Sequence, residues 1–217
     1  MNKVFIRALI QQHTRLTRSH LTPEICLHLI TPGCHLWKSN IDNCLFDDPF
    51  WAFYWPGGQV LTRYILDNPG LFQFKSVLDV GSGCGSAAIA AKLVGASKVV
   101  ANDIDPVASV AIEMNMQMNA AAINISTTNF LAAPSGDNFD IILLGDMFYD
   151  QEFGHLINNW MKSFKQKTTV LIGDPGRLQF INHPLKTDLQ RLATYDLPMS
   201  CQLENNGLTS AGVWKYN

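Results

Sequence analysis

Ser76-Val77-Leu78-Asp79-Val80-Gly81-Ser82-Gly83-Cys84-Gly85, running on into Ser86-Ala87-Ala88-Ile89-Ala90-Ala91, decides how the rest of the chain is read. Val77, Leu78 and Val80 make a short apolar run suited to a strand buried on both faces, and the small residues after Gly85 suit a helix packed closely against it. A glycine-rich turn joins the two. Such a turn lets a ligand approach the backbone at the end of a strand and at the positive start of a helix. The stretch therefore predicts a nucleotide-type cofactor site.

The spacing narrows the cofactor. Gly81, Gly83 and Gly85 give G-x-G-x-G rather than the dinucleotide G-x-G-x-x-G, and Asp79 stands two residues before the first glycine. A carboxylate there would repel a pyrophosphate, whereas it suits an ammonium with a sulfonium nearby. S-adenosylmethionine carries both charges. The plainer reading is a glycine turn kept only for tight strand-helix packing.

Composition bounds the rest. With 217 residues, 47% of them hydrophobic and 16% charged, the chain can bury one substantial core. We expect residues 1–56 to form an N-terminal extension and cover, and residues 57–217 one compact cofactor-binding domain. A net charge of −2 lacks the basic excess of a general nucleic-acid binder. The five cysteines, Cys26, Cys34, Cys44, Cys84 and Cys201, include no C-x-x-C pair and no zinc spacing with histidine, so we expect free thiols and no metal. No apolar run approaches the length of a membrane span.

Residues 1–20 carry Lys3, Arg7, Arg15 and Arg18 and no acidic residue. Val4, Phe5, Ala8 and Leu9 can share a helix face, which fits either a transit peptide or an amphipathic helix of the mature protein. Thr22 and Pro23 predict the start of a short helix over 21–30, stopped at Thr31-Pro32-Gly33. Phe50-Trp51-Ala52-Phe53-Tyr54-Trp55 then packs five aromatics into six positions, against a chain average of 10%. Most of them read as a cover over the core. Trp55 is the expected cofactor contact, because the chain turns there, at Pro56-Gly57-Gly58, into a helix over 60–66.

Beyond the glycine turn, residues 98–101 read as a second strand, ending at Asn102-Asp103. Asp103 follows Gly85 by 18 residues, near the spacing at which a carboxylate takes the two ribose hydroxyls. Asp105, just before Pro106, is better placed to cap the helix expected over 107–121. A third strand over 123–128 ends at Asn129-Phe130, where Asn129 either bonds the adenine edge or only makes a turn, and Phe130 can lie near the adenine face. Asp140 to Leu144 reads as a fourth strand, and Asp146 and Tyr149 follow at its carboxyl end, where substrates of open parallel sheets sit. They are the expected catalytic residues; the plainer role for Asp146 is to cap a helix over 151–164. A fifth strand over 168–172 leads to Gly173-Asp174-Pro175-Gly176-Arg177. Residues 183–195 read as helical, and 199–203 with 212–216 as a closing antiparallel pair. The alternation predicts a doubly wound α/β sheet.

Together these residues resemble the seven-strand Rossmann-like, or class I, methyltransferases: Asp79 with its glycines, then Asp103, then Asp146 to Tyr149 as a D-x-x-Y pattern like that of the lysine-methylating branch. Longer stretches, Asp48 to Gln59, Leu66-Asp67-Asn68-Pro69, Ala101 to Pro106, Leu144 to Tyr149 and Ile172 to Arg177, resemble the electron transfer flavoprotein beta-subunit lysine methyltransferase family, from about residue 21 to the C-terminus. The resemblance implies a mostly parallel seven-strand sheet with a C-terminal antiparallel strand. It also implies transfer of methyl groups from S-adenosylmethionine to lysines of that flavoprotein subunit, near its docking loop for acyl-CoA dehydrogenases. It further implies a mitochondrial matrix setting in animals or a cytoplasmic one in bacteria, although the N-terminal region here is much shorter than the vertebrate pattern. A small-amine methyltransferase would share every cofactor feature, and a non-catalytic cofactor or partner-binding module is the reading from another class. A nucleobase methyltransferase fits less well, since Gly145-Asp146-Met147-Phe148-Tyr149 lacks the N-P-P-Y or D-P-P-Y of that class. Asp47, Asp48, Asp146, Asp150, Glu152 and Asp174 are expected to form an acidic rim that attracts a lysine-bearing surface.

Overall fold

A computed structural model of the chain describes residues 2–38, 46, 48–132, 139–164 and 168–217. The chain begins with α1 (Lys3–His13), β1 (Arg15–Thr17) and β2 (Leu27–Leu29), then α2 (Pro56–Asp67) and α3 (Pro69–Phe72). The central alternation follows: β3 (Ser76–Val80), α4 (Ser86–Leu93), β4 (Lys98–Asn102), α5 (Pro106–Met118), β5 (Asn124–Ser126), β6 (Ile141–Gly145), α6 (Gln151–Met161) and β7 (Thr169–Asp174). It ends with α7 (Leu178–Ile181), β8 (Leu189–Asp196), α8 (Met199–Glu204) and β9 (Ser210–Tyr216).

Seven strands form one sheet in the order β5-β4-β3-β6-β7-β9-β8. β9 runs antiparallel to both of its neighbours, and every other pair is parallel. Side-chain alternation assigns each strand's apolar residues to two layers. Val77, Leu143 and Leu171 meet Val60, Leu61 and Ile65 of α2 and Ala88 and Ile89 of α4 on one face. Leu78, Leu144 and Ile172 meet Ile157 and Trp160 of α6 on the other. The strand order reverses between β3 and β6, so the crevice outside their carboxyl ends is where a doubly wound sheet binds its ligand.

The N-terminal segment differs from expectation. Residues 21–30 are a turn followed by β2, because Thr22 Oγ1 is taken by His20 Nδ1 and the Tyr54 hydroxyl rather than capping a helix. β2 pairs with β1 on one edge, and α5 serves the backbone with side chains: Asn115 Oδ1 accepts from the His28 amide at 2.8 Å, and Asn119 grips Cys26 through both its oxygen and its nitrogen. α1 buries Ile6 and Ile10, leaving Val4 and Phe5 exposed, and is tied to α5 by Lys3 and Arg7 on Glu113.

The C-terminal assignments also change. Residues 184–188 are a 3-10 turn leading into β8, and 199–203 lie in the helix α8. The alternation of Met199, Cys201 and Leu203 imitates a strand, but Met199 and Leu203 face solvent and only Cys201 is buried. β9 therefore finds its antiparallel partner in β8. Among the described residues Cys26, Cys34, Cys84 and Cys201 are free thiols, and no helix is long and apolar enough to cross a membrane; Cys44 and Asp47 lie outside them.

Candidate active site

The turn after β3 is shaped by glycines whose left-handed backbone and close neighbours disfavour a side chain. Gly81 has φ +65°, and a Cβ there would run into the sulfur of Met147 from the β6 loop. Gly85, at φ +82°, precedes the first residue of α4. The left-handed backbone and the close approach together require glycine. Behind this turn Asp79 is 3% exposed. Its Oδ2 accepts from Ser82 Oγ at 2.5 Å and from the Ala88 amide at 3.2 Å. Burial, with a smaller contribution from Asp103, pushes its carboxyl up to about 7. Asp79 lines a recess of about 40 Å³ with Tyr54, Trp55 and Ser86. The recess shares Trp55, Gly81, Gly83 and Gly145 with a larger cleft of about 480 Å³.

The larger cleft collects side chains from the carboxyl ends of several strands. Asp103, after β4, accepts from the Gly83 amide at 2.9 Å and from the Asp105 amide at 3.1 Å, and burial raises its pKa above the usual carboxylate range. Asp105 caps α5 through the Val107 amide, and both Asp103 and Asp105 line the cleft. Asn129 folds its own turn, the plainer of its two expected roles, by accepting from the Leu131 and Ala132 amides, and it lines the cleft beside Phe130. Trp55 lines cleft and recess, with its indole N–H fixed on the Phe50 carbonyl at 3.0 Å.

Asp146 does not cap α6; Asp150 does, accepting from the Phe153 amide. Asp146 instead sits at φ +56°, almost fully buried, with both oxygens engaged. Oδ2 accepts from the Gly57 amide at the start of α2, and Oδ1 meets Arg177 Nε at 2.8 Å and Nη2 at 2.6 Å. Burial raises its pKa, while Arg177 and the Gly57 amide pull it back. α2 can approach this closely because a Cβ on Gly57 would run into the Gly173 carbonyl of β7. Tyr149 lies at the mouth, 57% exposed and stacked on Phe153 with ring centroids 5.1 Å apart.

One expectation is corrected here. The acidic rim is smaller than six residues, because Asp146 and Asp174 are buried. Asp174 sits beneath the β7 turn, its Oδ1 holding the Gly176 and Arg177 amides, and burial together with neighbouring Asp146 pushes it up to about 7. Acidic character at the cleft comes from Asp48 with Asp103 and Asp105; Asp150 and Glu152 add to the outer surface at the start of α6. Asp146 is held in an ion pair. Its partner Arg177 was not singled out from sequence, although the register of Gly145 against Gly173 brings the loops after β6 and β7 together.

The comparisons agree with this architecture. A family model described as ribosomal protein L11 methyltransferase (PrmA) matches residues 62–148. Among solved structures, the ribosomal protein L11 methylase of Lactobacillus delbrueckii subsp. bulgaricus superposes with a TM-score of 0.54 at 21% identity, over 95% of this chain and 98% of that one. Magnesium protoporphyrin IX methyltransferase of Synechocystis PCC 6803, solved with bound S-adenosylmethionine, superposes with a TM-score of 0.53 at 15% identity, over 72% of this chain and 77% of that one. Both are likenesses of fold. The electron transfer flavoprotein beta subunit lysine methyltransferase of Mus musculus is 48% identical over 216 residues, covering 98% of this chain and 84% of that protein. On identity of that extent, the chain belongs to the electron transfer flavoprotein beta subunit lysine methyltransferase family.

Proposed function

We propose that the cleft transfers methyl groups from S-adenosylmethionine to lysine side chains of the electron transfer flavoprotein beta subunit. The acceptor rests on family membership across nearly the whole chain. The cofactor rests on one observation above all: Asp79 is a buried carboxylate without a basic partner among the described residues, facing a recess that shares lining residues with a cleft lined by Asp103. An ammonium in the recess would supply the missing countercharge, whereas the pyrophosphate of a dinucleotide would meet two carboxylates. The residues present thus fit S-adenosylmethionine. Asp79 would take its ammonium, Asp103 its ribose hydroxyls, and Asn129 and Phe130 its adenine. Trp55, Gly81 and Gly83 line both compartments.

When bound, the cofactor supplies an electrophilic methyl on a sulfonium, which a neutral amine attacks in line with the departing sulfur. The protein's share is orientation, exclusion of water and management of the acceptor's proton. Tyr149 and Phe153 form one wall of the mouth through which a long side chain passes. Asp146, just after β6, lines the cleft as an ion pair with Arg177. The carboxylates of the cleft attract a basic acceptor surface and disfavour a nucleic acid.

Purified enzyme with labelled cofactor tests this reading on three acceptors: the free beta subunit, small amines and nucleic acid. Label on lysines of the subunit, reduced by added salt, is expected. An unlabelled subunit alongside a methylated small amine or nucleic acid would leave the fold intact and overturn the acceptor.

A further inference from the structure

Arg177 is the one basic residue among the described residues that line the cleft, which also carries Asp48, Asp103, Asp105 and Asp146. Its guanidinium occupies a place built to hold a cation: Nη2 lies 2.6 Å from Asp146 Oδ1, and Cζ stands 5.9 Å from the centroid of the Trp55 ring. A carboxylate beside an aromatic face is a cation receptor, and here the chain fills it with its own side chain. The arrangement is held from behind. Asp174 Oδ1 fixes the Gly176 and Arg177 amides at 2.7 and 2.8 Å, Gly176 turns at φ +90°, and the Gly57 amide holds the other oxygen of Asp146.

A lysine reaches this cleft from water as an ammonium, which has no lone pair with which to attack. An unopposed Asp146 would stabilise that unreactive form, because an opposite charge within a few ångströms raises a lysine pKa, while a like charge lowers it. Resting on the reading of the site as a lysine methyltransferase, we propose that Arg177 sets the protonation state of the acceptor: by pairing with Asp146 it cancels the negative charge that would otherwise hold the acceptor as its unreactive ammonium. The ammonium N–H bond breaks, its electron pair stays on nitrogen as the attacking lone pair, and the proton leaves to solvent water at the mouth. Arg177 is thus a positioning and electrostatic residue. The groups that bear on it are Asp146 after β6, Asp174 after β7, Trp55 at the start of α2, and Asp48, Asp103, Asp105 and Tyr149 across the cleft.

The test is the pH dependence of kcat and KM for methylation of the free beta subunit by the wild type, Arg177→Met and Arg177→Lys. Arg177→Met is expected to bind the acceptor at least as tightly, to lose roughly tenfold or more in kcat near neutral pH, and to regain activity along a limb displaced upward by about one pH unit or more. Arg177→Lys, which keeps the charge, is expected to keep the wild-type limb. Should Arg177→Met fail to fold, Arg177→Gln must show the same displacement. A kcat lowered by one factor at every pH, or a limb displaced as far by Lys as by Met, overturns the proposal and leaves Arg177 as a brace for its loop. A wild type that leaves the subunit unmethylated at every pH overturns the functional reading instead.

Discussion

Asp79→Asn should make the ligand-free protein more stable above neutral pH while weakening its hold on the cofactor. The buried carboxyl titrates near 7 against an ordinary value of 3.8, so the folded state binds its proton more tightly than the unfolded chain does. A group raised in this way contributes its stability below pH 4 and loses it as pH rises towards 7. The gap corresponds to about 4 kcal/mol at pH 8 and about 2 kcal/mol at pH 5.5. Asparagine avoids it without breaking the local bonds, since Ser82 Oγ and the Ala88 amide both donate to the same oxygen, Oδ2. The side-chain carbonyl can take that place and turn its NH2 into the recess. Urea unfolding of both proteins from pH 5.5 to 8 measures the effect as a difference. This cancels Asp174, which shifts in the same direction, and His20, lowered to about 4 by burial and so losing stability as pH falls below 6.5. The advantage of the variant should grow by about 2 kcal/mol across the range, and added S-adenosylmethionine at pH 8 should favour the wild type. A difference that stays flat with pH, or a variant less stable at pH 8, would refute the reasoning.

Asp103→Ala removes the acceptor for the Gly83 amide and the proposed ribose contact, and calorimetry should show cofactor affinity falling by roughly 1.5–3 kcal/mol; unchanged affinity returns Asp103 to shaping the turn. Asp146→Asn keeps an acceptor for the Gly57 amide but dissolves the ion pair that holds Arg177 at the cleft, so turnover should fall by roughly a hundredfold while cofactor affinity stays near normal. A steady-state assay giving full activity would remove Asp146 from the reaction centre. Asn119→Leu strips Cys26 of both backbone partners and should lower stability by about 1–3 kcal/mol, with protease cleavage appearing first between β1 and β2; resistance equal to the wild type would mean that α1 and β1 hold this segment without α5.

What the sequence reveals and what it conceals follow from where each residue finds its partners. β3, the glycine turn and α4 are legible because a strand buried on both faces must be apolar, and a close backbone approach must be glycine. Asp103 and Asp105 are separable because their distances from the turn and from Pro106 differ. The segment over 21–30 misleads because its backbone is satisfied by Asn115 and Asn119, about ninety residues away, while Thr22 bonds sideways to His20 and Tyr54. β8 is an edge strand, half exposed and bulged between Arg191 and Ala193, so its alternation is diluted. At the site, Asp146 is found by its place after β6, but its charge state depends on Arg177 and on burial. Only the pairing of neighbouring strand ends brings those two together.

The central claim is that this cleft delivers a methyl group to lysine on the electron transfer flavoprotein beta subunit. Peptide mapping by mass spectrometry tests it most directly, on subunit incubated with purified enzyme and S-adenosylmethionine, beside a reaction with Asp146→Asn. Methylated lysine is expected in the wild-type reaction, confined to few peptides and strongly reduced with the variant. An unmodified subunit, or equal methylation by wild type and variant, would contradict it.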